Sequence, residues 1–452
     1  MTEVELLPHT VCRQALGWAE EAARSLGIRD VELHVGAESS ALTRFANNTI
    51  HQNVASHGIA LSVRTAFDGR TARASTNRIT REDVRRAVEQ AAALTRAAEL
   101  DPHLPEMLGP QDVPDAPRWF SSTAACTPDE RAVAVKGAID AAEAEGQTAA
   151  GIFSTGESVT AILNTHGLYC YHAETDAVFS MTAMAADSSG WAKRSACDLG
   201  DLDVAALAAG AASKAKLSAN PIEIEPGRYR VVLEHAAVLD LVGQIVADFS
   251  ATAIEEQRSF LTGKLGQCLF GQNISIADDC RHPMQDGAPF DGEGMPRTRL
   301  VLVDRGVVRE VACGRAAALR TASQPTGHGL ALPNDAGEMA ANIVMSGGEE
   351  SVESLVAGMD RGILVTRLWY IREVDPAAKI MTGMTRDGTF LVEGGRAVRG
   401  LRNFRFNQSV VELLNSVEAM SAPRRTSGEE AFDMVVPALR AANFHFSEVT
   451  RF

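Results

Sequence analysis

The chain has 452 residues, 45% of them apolar and 22% charged, with a formal net charge of −15. Such a length and balance suit a folded protein of roughly two to four domains, and the acidic excess argues against a nucleic-acid surface, which needs clustered Lys and Arg. No apolar run approaches the ~20 residues of a membrane span, residues 1–27 lack a signal peptide's basic and apolar regions, and seven scattered Cys without CxxC argue against a disulfide framework; the expected compartment is the cytoplasm.

In chain order, residues 1–27 read as an amphipathic helix. Four extended segments follow: "VELHVGA", "ALTRFANNTIHQNV", "GIALSVRTA" and "GRTARAS". Asp68–Gly69 marks a tight hairpin. A helix is expected from Thr80, whose hydroxyl can cap it, with acidic residues in the first turn and Val84, Val88, Ala91 and Ala92 at helical spacing. Residues 101–122 are Pro-rich and read as a linker. Thr127, Pro128 and Glu130 then form a capping box with Pro at the first helical position. The strands "ESVTAILNT", "LYCYHAETDAVFSMTAMAA" and "WAKRSACD" and an Ala-rich helix over 203–216 complete a second copy of the same plan, helix, antiparallel strands, helix.

After residue 220 the pattern changes. "YRVVLEHAAVLDLVGQIVADFSATA" reads as a strand and then a helix, followed by short strands and Gly-rich turns at Asp304–Gly306 and Glu393–Arg396. The fold class is α+β. The expected divisions are 1–100 and 123–220 as two α+β subdomains, 101–122 as linker, and 221–452 as a β-rich domain with a few helices.

Five C-terminal segments, "VVLEHAAVLDLVGQIVADFS", "PFDGEGMPRTRLVLVDRGVV", "QPTGHG", "ESLVAGMDRGILVTRL" and "GTFLVEGGRAVRGLRNFRF", resemble the TldD/PmbA family of zinc metallopeptidases and their partner subunits. The resemblance extends in segment order over almost the whole chain. It implies a two-part N-terminal region, a β-rich C-terminal domain and a dimer enclosing a cavity. Active members carry HExxxH on the helix after this strand and a Cys near the C-terminus as a further zinc ligand.

Matching that pattern puts Gly243 at the first His, Gln244 at the Glu and Asp248 at the second His. Gly offers no ligand and an amide has no proton-accepting equilibrium near neutral pH. A lone carboxylate falls short of the three protein ligands of a catalytic zinc. The stretch "SGEEAFDMVVPALRAANFHF" has no Cys either; the last in the chain is Cys313. The helix itself has an apolar stripe through Val238, Leu241, Val242, Ile245, Val246 and Phe249, with Gln244 and Asp248 at its margin, so it reads as a core helix with a solvated or cavity-facing edge.

Other residues have metal-ligand chemistry. Asp278, Asp279, Cys280, His282 and Asp286 have the right atoms for zinc, but their crowding beside Pro283 and Gly287 suits a turn. Cys268 and Cys280 read as core or boundary residues. Glu234–His235 has the reverse order of a metallopeptidase signature and reads as a strand end at a helix N-terminus. In "QPTGHGLALPNDAG", Gly327 and Gly329 allow close backbone approach to a ligand or a strand around His328; the resemblance implies that this loop lies near the substrate cavity, which makes these three the substrate-groove candidates, with plain loop structure as the equal alternative.

The resemblance favours the non-catalytic PmbA/TldE-type subunit lacking HExxxH. No cofactor is expected in this chain; zinc is expected in a TldD-like HExxxH-bearing partner of a heterodimer, the alternative assembly being a homodimer. Its cavity would hold unfolded peptide through main-chain hydrogen bonds. Two alternatives stand beside it: an autonomous metallopeptidase using Asp248 or the 278–286 cluster, and a peptide-binding scaffold without proteolysis.

Overall fold

Capped helices and long antiparallel strands build the N-terminal region. The computed structural model describes residues 4–450; residues 1–3 of the first expected helix lie outside them. In order come α1 (His9–Ser25), β1 (Asp30–Ala46), β2 (Thr49–Phe67), β3 (Arg70–Thr76), α2 (Arg81–Ala97), the single turn α3 (Ser121–Ala124), α4 (Pro128–Ala144), β4 (Thr148–Asn164), β5 (Tyr169–Met184), β6 (Ser189–Ala196) and α5 (Val204–Leu217). Thr80 Oγ1 accepts from the Asp83 amide at 3.2 Å, and the capping box of Thr127 and Glu130 is formed in both directions.

The two copies of this plan share one antiparallel sheet, ordered β3-β2-β1-β4-β5-β6. Its seam is β1 against β4, paired from Glu32↔Asn164 to Phe45↔Gly151. The four longer helices cover one face, over Val31, Leu33 and Val63 in the first half and Phe45, Phe153 and Phe179 in the second. The opposite face carries Glu32, His34, Cys170 and Glu174, and docks on the C-terminal domain: Cys170 Sγ reaches Gly294 O, and Glu174 accepts from the Gly287 amide at 2.8 Å.

One local feature differs from the sequence expectation. The extended segment 41–54 contains the first hairpin turn, made by Asn47 and Asn48 with φ of 50° and 57°. Asn favours this left-handed region because its short side chain bonds locally; here Asn48 also accepts from the Ala149 amide and donates to Gln147 O, tying the hairpin to β4. The 101–122 segment is no loose tether. Trp119 Nε1 donates to Glu157 at 2.8 Å, and Arg118 bridges to Glu174 in parallel, along the outer edge of β5 that β6 leaves uncovered. The corresponding edge of β2 is bare: β3 covers only Leu61–Phe67, and among the described residues no strand pairs beside 49–60.

The C-terminal domain runs β7 (Gly227–Leu233), α6 (His235–Val246), α7 (Ala251–Glu255), β8 (Ile276–Asp278), β9 (Leu300–Asp304), β10 (Val307–Val308), α8 (Arg315–Thr321), β11 (Ile343–Met345) and α9 (Val352–Ala357). It continues with β12 (Arg361–Asp375), β13 (Ile380–Glu393), β14 (Arg396–Gly400), β15 (Phe404–Ser409), α10 (Val410–Asn415), β16 (Val417–Met420), β17 (Arg424–Thr426), β18 (Met434–Val436) and β19 (Leu439–Val449). Strands β12, β7, β19, β15 and β13 pair in sequence, and β13 pairs back to β12, closing a ring. A second sheet is ordered β10-β9-β8-β11-β18-β17. Helix α6 packs on β12 and β7 of the first and on β17 and β18 of the second, within one core cluster that spans both.

The N-terminal sheet and its helices are in backbone contact at Gly190, where an added Cβ would lie 2.2 Å from Ala211 O and 2.4 Å from the Ala215 amide nitrogen. Neither neighbour is a side-chain tip that can swing away. Gly190→Ala is expected to lower stability by about 1–3 kcal/mol in urea denaturation; an unchanged midpoint would contradict this packing of β6 on α5.

Candidate functional site

Helix α6 buries ten of its twelve residues, including His235 and Asp240. Gly243 and Gln244 are its two half-buried residues, and what lies against them and against Asp248 can be read directly. Gly243 faces the loop before β18: a Cβ built on it would sit 2.3 Å from Ala431 Cβ and 3.3 Å from Met434 Cε. The room that an imidazole would need is filled by this chain's own side chains.

Gln244 bridges helix and loop, its Nε2 donating to Asp240 O at 3.0 Å and to Glu430 O at 3.4 Å. Asp248, just past the helix end, is 6% exposed, and its Oδ2 lies 2.6 Å from Lys379 Nζ. Its Oδ1 accepts from the Phe260 amide at 3.1 Å. Lys379 also pairs with Glu373 at 2.7 Å and lies 5.5 Å from the Phe260 ring centroid. Burial still holds the Asp248 carboxyl above its ordinary value, more than Lys379 offsets. The expectation of a solvated helix margin is therefore corrected at Asp248, whose carboxylate is buried and committed to a cation.

The loop 427–433 lies in the Cys-less stretch "SGEEAFDMVV", and it meets α6 along these same positions. Asp240, fully buried, accepts from the Glu430 amide at 3.1 Å, and its Oδ2 has no partner. Burial pushes this carboxyl up to about 7. Gly428 is required beside it, since a Cβ there would lie 2.2 Å from Asp240 Oδ1. The Glu430 carboxylate accepts in turn from the Tyr370 and Ile371 amides of β12 at 2.5 and 3.2 Å. The helix end and the Cys-less stretch thus come together here, and the donor set does not fit zinc: glycine, a bonded amide and a carboxylate held by Lys379.

The remaining candidates are dispersed. Asp278 is fully buried on β8 and accepts from the Ala341 and Asn342 amides. His328, also fully buried, places Nε2 3.2 Å from Asp278 Oδ1 and Nδ1 2.9 Å from Thr326 Oγ1. It braces its loop inside the domain and does not line an open groove of this chain. Gly327 packs on Pro296 O, and the Gly329 amide donates to Asp291 at 2.7 Å, so both glycines serve close backbone packing. Asp279 bonds the Arg281 amide and Asp286 pairs with Arg425, while residues 280–284 form the expected turn. Cys280 is buried and Cys268 exposed. Among the described residues, no three His, Cys, Asp or Glu converge as a metal site. Lys379, Ala431, Asp240 and Glu430 were not singled out from sequence. Only the apolar setting of Asp240 within "AVLDLVGQIV" hinted that a carboxyl would be buried.

Removing one partner of a buried pair leaves an uncompensated charge, so Lys379→Met should destabilise the protein by about 3 kcal/mol in denaturant unfolding. Adding Asp248→Asn should restore most of that loss; equal losses in the single and double variants would show that the pair is not coupled. A pH dependence follows from Asp240. Its folded-state value of about 7 exceeds the ordinary 3.8, so the folded state binds the extra proton between those values. The favourable contribution is complete below about pH 4 and is lost as pH rises through about 7. Asp240→Asn should therefore gain on the parent protein between pH 5 and 8, by a few kcal/mol at most in order of magnitude; a stability difference that does not change with pH would refute the assignment.

Residues 31–95, 123–219 and 226–448 match the models of PmbA/TldA metallopeptidase domain 1, central domain and C-terminal domain. A metalloprotease of Methanothermobacter thermautotrophicus is 24% identical over 293 residues, 60% of this chain and 61% of that protein. An uncharacterized protein of Methanocaldococcus jannaschii is 37% identical over 112 residues, 24% of this chain and 26% of its own. The chain therefore spans less than two thirds of either relative. TldE from Thermococcus kodakarensis has the same fold, with a TM-score of 0.86 at 20% identity over 97% of this chain and 100% of that one. So does a candidate modulator of a DNA gyrase from Thermotoga maritima, with a TM-score of 0.86 at 20% identity over 96% and 100%. With all three domains matched in order between residues 31 and 448, the chain belongs to the PmbA/TldD metallopeptidase family.

Proposed function

We propose that this chain is the non-catalytic, TldE-type subunit of a two-chain peptidase. A TldD-like partner with HExxxH would supply zinc and the general base, and this chain would complete the cavity and hold unfolded peptide. The observation that carries the reading is the filling of the three HExxxH-matching positions from within: Gly243 by Ala431, Gln244 by backbone carbonyls, Asp248 by Lys379. A chain that kept its own hydrolytic centre would need those positions open to metal and water. The bare edge of β2 supports peptide capture, because an edge strand offers unpaired amides and carbonyls to an extended chain. The equivalent edge of β5 already takes an extended segment, around Arg118. The seven thiols, all unpaired, suit a reducing compartment, in keeping with a cytoplasmic peptidase.

Purified alone, the chain is expected to hold far less than one zinc per molecule and to cleave no peptide. Mixed with an HExxxH-bearing sister chain, it should give a stable heteromer in native mass spectrometry and cleave unfolded peptides that neither chain cleaves alone. Stoichiometric zinc in the isolated chain with peptide hydrolysis, both lost on Asp248→Ala or Cys280→Ala, would overturn the reading.

A further inference from the structure

Where the N-terminal sheet meets the central helix, a cavity of about 210 Å³ lies between β6, α5, the start of α6 and β17. Its walls carry five cationic side chains, Lys193, Arg194, Lys214, Arg424 and Arg425, against one carboxylate, Glu234. In a chain of net charge −15 that concentration is unusual. Three of the cations are neutralised: Lys193 by Glu429 at 3.2 Å, Lys214 by Glu234 at 2.6 Å, and Arg425 by Asp286 and Asp433.

Arg194 and Arg424 have no such partner. Among the described residues, neither has a carboxylate oxygen within 4.0 Å, and the Arg194 Nε is buried without any hydrogen bond. The two guanidiniums oppose each other's charge, and Arg424 is held below its ordinary value by burial and then by Arg194, against a smaller opposing pull from Glu234 and Glu353. Arg424 Nε donates to His235 Nε2 at 3.0 Å, a bond that requires the imidazole to be neutral there. Burial, with Arg424 next, pushes His235 down to about 3, which secures that state. Glu234, the N-cap of α6, makes no side-chain bond to the helix amides, so the positive end of the helix dipole faces the same space.

We propose that this cavity binds an oxyanion, a carboxylate or phosphate group gripped between Arg194 and Arg424. Guanidinium forks match both groups with paired hydrogen bonds, and a group of either kind would relieve the repulsion between the two arginines. The site does not depend on the assembly proposed above, since all its walls come from this chain.

The test is calorimetric titration of the full chain at pH 7 and constant ionic strength. The ligands are inorganic phosphate and a short peptide supplied with either a free or an amidated carboxyl terminus. Saturable binding of phosphate, or of the free-acid peptide but not its amide, is expected, and which of them binds identifies the source of the group. Arg194→Gln and Arg424→Gln should each weaken it by about tenfold or more, with Arg424→Lys recovering part. Arg305→Gln, on an exposed turn, should leave it unchanged. Circular dichroism of each variant separates lost binding from lost folding. No saturable binding of phosphate or free-acid peptide, or binding that survives both arginine substitutions, would overturn the proposal.

Discussion

A helix with ten of its twelve residues buried must find partners within the protein for most of its polar groups. That constraint governs α6 and, through it, the C-terminal domain. Gln244 and one oxygen of Asp240 are bonded by the loop 427–433, which is held on its far side by Glu430 and β12. Asp248 is satisfied by Lys379, in the connection between β12 and β13. These polar residues thus tie the helix to the loop that closes over it and, through Asp248, to the ring. Glycines 243 and 428 let that loop lie in contact with the helix.

The same logic operates where the N-terminal sheet docks. Its C-terminal-facing side carries Glu32, paired with Arg64 at 3.0 Å and Arg73 at 2.6 Å, and Arg73 also reaches Leu332 O. Farther along, Arg425 of β17 joins Asp286, Asp433 and Ser195. The ion pairs stay within one part or the other, and each holds an arginine in place for one bond across the junction, Arg73 to Leu332 O and Arg425 to Ser195 Oγ.

Helix starts and strand alternation were legible in the sequence because they are local. The Thr127 capping box, the Thr80 cap and the strand followed by α6 all lie where their neighbouring residues direct them. The Asn47–Asn48 turn was obscured because the apolar and polar residues around it continue a strand-like run on both sides. The residue types at positions 243, 244 and 248 were also readable, being a matter of sequence alone. What fills their places was not: Lys379 and Ala431 are distant in the chain from the helix they complete, and only the fold brings them there. His328 shows the same limit, as flanking glycines admit a groove and a tightly packed loop equally well.

The seam between β1 and β4 has a further consequence. Each half of the N-terminal region presents along it a row of amides and carbonyls satisfied only by the other half, from Glu32↔Asn164 to Phe45↔Gly151. The arrangement has the form of two like protomers fused into one polypeptide. A fragment severed between α2 and α4 would expose a long naked border, and such borders recruit whatever strand is at hand, most readily a second copy of the fragment itself. Proteolytic trimming to either half would thus exchange intramolecular closure for self-association.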